Sequence, residues 1–413
     1  MASVRRALVA PALALALAPA AHAYTIKGHG NGHGVGMSQY GAYGYARNGV
    51  GYRDILRHYY KHTEVKTTKG GKIRVLLQDG PGAISFAGAT RAGDRHFNHA
   101  KTYTARIRGS KIAFYHDGER VFSQPYPVLV TSAYHTIRLG GTAINGITDG
   151  AYRGGIELRP GSGGGLMAIN ELSVDNYVKG VVPGEVPASW PGDTLKAQAV
   201  AARSYALATD AGGEVFDQYP DTRSQVYRGM DGEESRSNGA VKATAREVVK
   251  YHGDIATTFF FSTSGGRTEN VENSFTGSEP VPYLKSVKDP YDFYSPLHKW
   301  KIVYSKSEVA SRLSGLVKGS FRGIRVVKRG VSPRIVLADV VGSKGKLRVS
   351  GSTLRSRLSL HDTWASFPSF GSKREKAVAA LPVPLLAPVA PEAPAAKPKQ
   401  APAQSLEWPP NPL

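Results

Sequence analysis

Residues 181–207 read VVPGEVPASWPGDTLKAQAVAARSYAL, and this stretch says most about the fold and the chemistry of the chain. Pro183 and Pro187 restrict the backbone on either side of Glu185, because proline fixes φ and disfavours a helical conformation in the residue before it. We therefore expect Glu185 to lie in a stiff loop and not in the middle of a helix. A single acid in such a loop is a candidate for proton transfer, although most lone carboxylates are simply solvated.

The residues after this loop predict a helix. Pro191 suits a first helical turn, where its missing N–H has no partner to lose. From Thr194 onward the chain is rich in Ala, Leu, Lys, Gln and Arg, which are good helix formers. Lys196 and Arg203 are seven residues apart, so they share a face and could meet a ligand near Glu185. An apolar stripe of mostly small residues, which would let another backbone approach closely, is predicted at Leu195, Ala199, Ala202 and Ala206.

Composition narrows the class of protein. The chain has 413 residues, a formal net charge of +21 and no cysteine, so disulfides and thiolate metal ligands are impossible. The basic residues are scattered without the spacing of a helix-turn-helix or a zinc finger, and no nucleic-acid partner is expected. Such a charge fits attraction to anionic wall polymers, lipid headgroups or glycans, which would allow peripheral association with a wall or a membrane surface.

The N-terminal residues have the pattern of a secretory signal peptide. Arg5 and Arg6 are followed by an apolar stretch over residues 7–20, and residues 21–23, AHA, form an A-x-A cleavage site. The apolar stretch is too short for a comfortable membrane span. We expect residues 1–23 to be removed and the mature protein to be secreted, with an extracytoplasmic location at the cell wall.

The rest of the chain divides into three predicted parts. Residues 24–66 form a glycine- and aromatic-rich element with a short helix. Residues 72–367 contain short β-type segments separated by turn residues, with Glu185 and its helix between them. Residues 377–413 form an Ala/Pro-rich tail that cannot build a core and should be extended and flexible. The predicted fold class is α+β and β-rich, with one central helix beside Glu185.

Several segments resemble the stage II sporulation protein D family (SpoIID/LytB), which includes lytic transglycosylases of peptidoglycan and amidase enhancers. The stretch around Glu185 is similar to the signature of that family. Residues 33–42, HGVGMSQYGA, resemble an element that commonly lies at the C-terminal end of the catalytic domain, whereas here it precedes the domain, so the order looks permuted. Further similarity lies in residues 73–77 (IRVLL), 222–229 (TRSQVYRG), 261–270 (FSTSGGRTEN) and 349–358 (VSGSTLRSRL).

The resemblance implies an exported lytic transglycosylase that cleaves the MurNAc–GlcNAc bond of peptidoglycan glycan strands. Glu185 would be the single acid/base, because the muramic C6 hydroxyl closes onto C1 to give a 1,6-anhydro end and no water has to be activated. The alternative is a non-catalytic glycan-binding protein that stimulates a cell-wall amidase. The implied partners are therefore glycan strands and, in the alternative, an amidase. No cofactor is expected.

The same resemblance implies a set of groups that position the substrate. For Tyr205 and Tyr227, ordinary core packing is an equally good interpretation. The remaining candidates are Lys196, Gln198, Arg203, Gln225, Ser262, Ser264, Gly265, Gly266, His33 and Gln39.

Two other chemistries are disfavoured by their sequence context. Ser262 and Ser264 lack the strand–elbow–helix setting of a hydrolase nucleophile. His29 and His33 are separated by Gly-Asn-Gly with no acidic residue nearby, which disfavours them as ligands of a metal. His33, Ser38 and Gln39 are better interpreted as polar groups of a glycine loop whose backbone comes close to the substrate or to the helix. No metal site is expected.

Overall fold

The computed structural model describes residues 23–80 and 82–370. The predicted signal peptide, apart from Ala23, and the predicted Ala/Pro-rich tail lie outside these residues. Strands dominate the described chain and alternate with shorter helical segments, which confirms the α+β, β-rich class. Among the described helices, none combines the length and the hydropathy that crossing a bilayer requires.

The elements follow one another along the chain with short connections. The helices are α1 (Gln39–Arg47), α2 (Tyr52–Tyr59), α3 (Val174–Glu185), α4 (Gly192–Ala208), α5 (Ser235–Ala243), α6 (Val271–Ser274), α7 (Lys306–Arg312) and α8 (Gly351–Arg357), with 3₁₀ turns at Ser162–Gly164, Gly229–Gly232 and Asp292–Tyr294. The strands are β1 (Ala23–His29), β2 (Met37–Ser38), β3 (Glu64–Thr67), β4 (Lys72–Asp79), β5 (Ile84–Ala87), β6 (Arg91–Ala92), β7 (Arg95–His96), β8 (Thr102–Arg108), β9 (Lys111–His116), β10 (Glu119–Pro125), β11 (Val128–Thr131), β12 (Ile137–Leu139), β13 (Ala151–Tyr152), β14 (Gly155–Pro160), β15 (Leu166–Ser173), β16 (Glu247–Tyr251), β17 (Asp254–Ile255), β18 (Phe260–Phe261), β19 (Lys299–Ser305), β20 (Phe321–Arg329), β21 (Ile335–Gly342), β22 (Gly345–Ser350) and β23 (Ala365–Ser366).

Two six-stranded sheets form the first part of the fold. Their strand orders are β10-β9-β8-β5-β12-β13 and β4-β15-β14-β11-β6-β7, and the paired strands run antiparallel. Inward-facing side chains of both sheets, such as Leu77, Phe86, Phe114 and Leu158, share one hydrophobic core. This core supports α3 from one side.

The predicted helix after Glu185 is present as α4, and Pro191 lies immediately before its first residue. The predicted apolar stripe of Leu195, Ala199, Ala202 and Ala206 packs into the core of the two sheets. Ala197, Val200 and Ala201 face a second core on the other side of the helix. Because α4 is apolar on both sides, it is buried between two layers.

The second core is built largely from the N-terminal element. Met37, Ile55, Leu56 and Tyr59 are fully buried and pack against α4 together with residues from 249–287. Strand β2 pairs in parallel with β18, and β3 pairs with β16. The sequence 24–66 therefore forms part of the wall around Glu185.

A third core lies in the C-terminal part of the chain. The sheet β20-β21-β22 shares its core with α7, α8 and the sheet β19-β1-β23. Strand β1 pairs with β19 over its whole length, from Ala23 opposite Ser305 to His29 opposite Lys299. The N-terminal element is thus tied to the C-terminal part of the fold by β1 and to α4 by α1 and α2.

Candidate active site

Glu185 is the last residue of α3, so the prediction of a stiff loop on both sides of it is wrong on the N-terminal side. Pro183 lies inside the last helical turn. The helix begins after Ser173, whose side chain accepts a hydrogen bond from the N–H of Asn176, as expected of an N-cap. Burial of apolar residues on this helix outweighs the hydrogen bond lost at Pro183.

The end of α3 shows the effect of Pro187 on the residue before it. Val186 has φ −139° and ψ 145°, which is the extended conformation that Pro187 imposes on the residue before it. Its N–H still donates to the carbonyl of Val182 and closes the last turn. The backbone of Glu185 is therefore fixed at the C-terminal end of the helix, which limits the positions that its side chain can take.

Two groups hold the carboxyl group of Glu185. The backbone N–H of Val226 donates to Oε1 at 3.0 Å. The side-chain amide of Gln39 lies 3.5 Å from Oε2. The site thus joins three distant parts of the sequence, namely α3, the segment 222–229 and the start of α1.

The segment 222–229 reaches Glu185 because glycines on α3 leave room for it. A Cβ on Gly184 would lie 2.9 Å from the carbonyl oxygen of Val226, and one on Gly180 would lie 2.6 Å from the ring of Tyr227. The N–H of Arg228 also donates to the carbonyl of Gly180 at 3.1 Å. The close approach of the two backbones places the Val226 N–H at the carboxyl group.

Gln39 is positioned by the start of α1. Ser38 caps the helix, since its hydroxyl accepts from the N–H of Gly41 at 3.1 Å. The N–H of Tyr40 donates to the carbonyl of Ser262 at 3.0 Å. Gln39 therefore sits on a backbone that is held from both sides, and the substrate-binding role predicted for it is consistent with its place beside Glu185.

Burial raises the pKa of Glu185 to about 7, against the opposing effects of the Val226 N–H, the Gln39 amide and the positive charge of Arg228. The C-terminal end of a helix acts in the same direction as burial, because it disfavours negative charge. The side chain is partly and not fully buried, so solvent or a substrate can still reach it. Near neutral pH the group can therefore both donate and accept a proton.

Gln225 and Tyr205 are two candidate residues that lie in the protein interior near Glu185. The hydroxyl of Tyr177 donates to Oε1 of Gln225 at 3.2 Å, and the Gln225 amide donates to the carbonyl of Ala202. Tyr205 is largely buried, and its pKa is raised to about 12 by burial and, to a smaller extent, by the charge of Glu185. Gln225 therefore fixes the segment that carries Val226, while Tyr205 stays close to the acid.

Of the two interpretations left open for Tyr227, the structure shows core packing, and the role in positioning the substrate is wrong. Its side chain is buried, its ring lies 5.0 Å from that of Tyr177, and its hydroxyl donates to Oδ1 of Asn170 at 2.8 Å. The ring and its hydroxyl group therefore make their contacts inside the protein.

Arg203 is also structural, which corrects its predicted role. Its side chain is 1% exposed and pairs with Asp175 at 2.7 Å. It also donates to the carbonyl of Glu247 at 2.9 Å. On the same helix, Lys196 pairs with Asp193 at 3.5 Å and lies near the ring of Tyr52. The two cations are therefore directed at the fold and at α2, and not together at Glu185.

Gln198 is the remaining candidate on α4. It is fully buried, and neither atom of its amide group has a hydrogen-bond partner among the described residues. It precedes Tyr205 by seven residues, which places both on the same face of the helix. Its predicted role in substrate binding remains a prediction.

The turn at 262–266 divides into two parts. Ser262 is adjacent to α1, because its carbonyl accepts from Tyr40. Ser264 accepts from the N–H of Gly266, and its carbonyl accepts from the buried Arg334. Gly265 donates to the buried carboxylate of Asp292 at 2.6 Å. The predicted contact with substrate is therefore wrong for the Ser264–Gly266 part, whose polar groups bind inside the protein.

His33 has no free nitrogen to offer a substrate, so its predicted binding role is wrong. Its Nδ1 accepts from the N–H of Val35 at 3.1 Å, and its Nε2 lies 3.0 Å from the carbonyl of Phe260. Burial lowers its pKa to about 3, so the ring is neutral. Within residues 23–80 and 82–370, no group of three or more His, Asp or Glu side chains is arranged to hold a metal.

Two aromatic residues close to the segments of the site lie in stretches that resemble family motifs, but the sequence did not single them out as site residues. Tyr40 follows Gln39 directly, and Trp190 lies in the connection between α3 and α4. Their ring centroids are 4.9 Å apart. The role of the Val226 backbone N–H cannot be predicted from residue identity, although the segment that contains it resembles a family motif.

The part of the chain that contains Glu185 is similar to a known protein family. Residues 162–251 match the model of the family described as Stage II sporulation protein, SpoIID. This segment contains α3, α4 and the residues that hold Glu185, except for Gln39. Over these residues the chain is similar to the SpoIID/LytB family, and the resemblance inferred from its motifs is confirmed.

Individual relatives match parts of the chain. An amidase enhancer of Bacillus subtilis is 40% identical over 144 residues, which is 35% of this chain and 19% of that protein. The stage II sporulation protein D of Bacillus subtilis is 28% identical over 208 residues, 46% of this chain and 57% of that protein. An uncharacterised protein of Brachyspira hyodysenteriae is 40% identical over 125 residues, 30% of this chain and 33% of that protein. The chain thus spans less than two thirds of each of these relatives.

Proposed function

We propose that this protein is an exported peptidoglycan lytic transglycosylase in which Glu185 is the acid/base. The observation that carries the proposal is the carboxyl group of Glu185, which is partly buried at the end of a rigid helix and has a pKa raised to about 7. A group with that pKa can act in both proton transfers of one catalytic cycle at neutral pH.

The reaction needs one carboxyl group and no water. Protonated Glu185 gives its proton to the oxygen that links C1 of MurNAc to C4 of GlcNAc, and the C1–O bond breaks. The MurNAc C6 hydroxyl attacks C1 while the Glu185 carboxylate accepts its proton. The products are a free C4 hydroxyl and a 1,6-anhydro ring, and Glu185 is protonated again.

The contacts of Glu185 suit this use of a single acid. Its hydrogen bonds within the described residues come from the Val226 N–H and the Gln39 amide, and neither partner is a second carboxyl group. The glycosidases that activate a water place two carboxyl groups across the scissile bond. The Val226 N–H and the Gln39 amide both donate to the carboxyl group, so they orient it and favour its carboxylate form against the effect of burial.

A second candidate function is the stimulation of a cell-wall amidase by binding glycan without cutting it. It is favoured by the similarity to a protein named amidase enhancer and by the formal net charge of +21, which attracts anionic polymers. Both functions require glycan binding, and they differ in whether Glu185 transfers a proton. Both also assume export, for which the signal-like residues 1–23 are the support.

Incubation of the purified protein with glycan strands, followed by mass spectrometry, tests the proposal. Strands with and without stem peptides should be compared. A lytic transglycosylase gives fragments whose muramic ends resist borohydride reduction and contain no oxygen from heavy-oxygen water. Reducible ends that contain the heavy oxygen would show hydrolysis instead. Intact strands, together with faster cleavage by an added amidase, would favour the enhancer.

A further inference from the structure

A group of aromatic side chains extends from the site to the protein surface. Five rings, from Tyr40, Trp190, Tyr43, Tyr294 and Phe293, form a continuous series of contacts that we call the aromatic row. Successive ring centroids lie 4.9, 4.8, 5.4 and 4.5 Å apart. The row combines three segments of the chain, namely α1, the α3–α4 connection and the 3₁₀ turn Asp292–Tyr294.

The two ends of the row differ in exposure. Tyr40 is part-buried and follows Gln39, whose amide lies at the Glu185 carboxyl group. At the outer end, Tyr294 is 38% exposed and Phe293 is 55% exposed. Large exposed aromatic side chains next to one another are uncommon on a soluble surface and mark interaction sites. The row therefore runs outward from the residue next to Gln39, which contacts Glu185.

Cations accompany the rings. The guanidinium of Arg47 lies 5.7 Å from the ring centroid of Tyr43 and 5.1 Å from that of Tyr294. Arg236 donates to the carbonyl of Trp190 at 3.1 Å. Both arginines are exposed. A ligand that follows the row would thus meet apolar ring faces together with positive charge at the side.

We propose that the aromatic row is an extended subsite that binds the glycan strand beyond the sugars at Glu185. The inference rests on the proposed function for its ligand, and it adds the path by which a long strand is held. Sugar rings have apolar faces formed by their C–H groups and polar edges formed by their hydroxyls, so they stack on aromatic rings. The carboxylates of muramic acid or of its stem peptide would meet Arg47 and Arg236.

The length of the row predicts how the affinity for a glycan strand depends on the number of sugars. Short fragments reach only Glu185 and the nearest ring, Tyr40, while longer strands contact Tyr294 and Phe293 as well. Affinity should therefore rise with the number of sugars. A purely structural role, in which the rings only hold the turn Asp292–Tyr294 on α1, would not produce that dependence.

The test uses the full mature chain with Glu185→Gln, which allows binding to be measured without cutting. Size-fractionated glycan strands are titrated into this protein and into the same protein carrying Phe293→Ala and Tyr294→Ala. The double variant removes two stacking rings from the proposed path of a long strand, and a tenfold change in affinity corresponds to ~1.4 kcal/mol. We expect a loss of about tenfold for long strands and a smaller loss for short ones. Tyr134→Ala, at an exposed tyrosine outside the row, serves as the control and should bind like the parent.

Trp190 gives a second test within the row. Trp190→Phe keeps an aromatic ring and should retain more affinity for long strands than Trp190→Ala at equal melting temperature. Equal affinity of the parent and the Phe293/Tyr294 double variant for long strands would overturn the subsite, as would the absence of any glycan binding.

The subsite and the cleavage reaction can fail separately. If the wild-type protein leaves strands intact but long-strand binding still depends on the row, the subsite stands and the transglycosylase assignment fails. If the wild type makes anhydro ends and the double variant binds like the parent, the assignment stands and the subsite fails.

Discussion

Val226 donates its backbone N–H to Oε1 of Glu185 at 3.0 Å, although the two residues are 41 positions apart in the sequence. A backbone donor cannot be removed by changing a side chain, and it fixes one oxygen of the carboxyl group. The other oxygen faces the Gln39 amide at 3.5 Å. The two donors therefore orient the carboxyl group from segments on opposite sides of it in the sequence.

Glu185→Gln should abolish cleavage of glycan strands while leaving the fold and the binding of glycan largely intact. Glutamine keeps the shape of the side chain but has no titrating proton, and general acid–base catalysis is typically worth ~10²–10⁴ in rate. The rate of anhydro-end formation measures the effect. Glu157→Gln is the matched control, since Glu157 pairs with Arg159 in a sheet. Activity of Glu185→Gln within about tenfold of wild type would contradict the role of Glu185.

The rate of cleavage should fall as the pH rises through about 7. The reaction starts from protonated Glu185, and burial raises the pKa of that group to about 7. Above this pH the carboxylate form dominates and cannot protonate the glycosidic oxygen. A profile of kcat/KM against pH reports this pKa in the free enzyme. A rate that stays constant between pH 6 and about 9 would be incompatible with Glu185 as the acid.

Wild-type stability relative to Glu185→Gln should decrease between pH 4.5 and about 7. The folded protein holds the Glu185 proton more tightly than the unfolded chain, whose pKa is near 4.5. The contribution of this proton to the free energy of unfolding is therefore fully present below pH 4.5 and is lost as the pH rises through about 7. The loss is on the order of 3 kcal/mol.

Chemical denaturation of both proteins at several pH values measures this difference. Asp289, whose pKa burial also raises to about 7, is present in both proteins and largely cancels. A difference in unfolding free energy that does not change with pH would show that the Glu185 pKa is not raised.

Arg203→Met should lower the stability of the protein strongly. The variant removes the partner of Asp175 and leaves the Glu247 carbonyl without this donor, and an unpaired buried acceptor typically costs about 1–3 kcal/mol. Lys196→Met, on the same helix but at a half-exposed pair, should change stability by less than ~1 kcal/mol. Unchanged melting of Arg203→Met with a raised KM for glycan would instead support the substrate-binding role.

Gly41→Ala should destabilise the protein, and Gly239→Ala should not. A Cβ on Gly41 would overlap the hydroxyl of Tyr59 and the carboxyl group of Asp289, and such overpacking costs about 1–3 kcal/mol. Gly239 lies inside α5 with no atom near its Cβ position, so alanine there should stabilise by about 0.4–1 kcal/mol. Melting temperatures of the two variants test whether α1 is packed tightly on the rest of the domain; equal melting would contradict it.

The sequence by itself determined the features that depend on neighbouring residues. The α+β class, the helix after Pro191 and the small-residue stripe of α4 follow from local propensity and periodicity. The resemblance to a family could also be recognised, because the motifs that carry it are continuous segments of the chain. Glu185 could be singled out because it is the only acid in the loop bounded by Pro183 and Pro187, although its secondary structure could not be predicted. The valines of α3 extend the helix past Pro183 by packing on a core that a local pattern does not show.

Tertiary structure decided which predicted groups meet at the site. Gln39 and the Val226 N–H reach Glu185, whereas Arg203, Tyr227 and His33 bind inside the protein. The sequence does not show which residues of a helical face contact a substrate. Only the packing of α4 between two cores shows which of its side chains are buried. The raised pKa of Glu185 has the same origin, because burial depends on contacts between segments that are far apart in the chain.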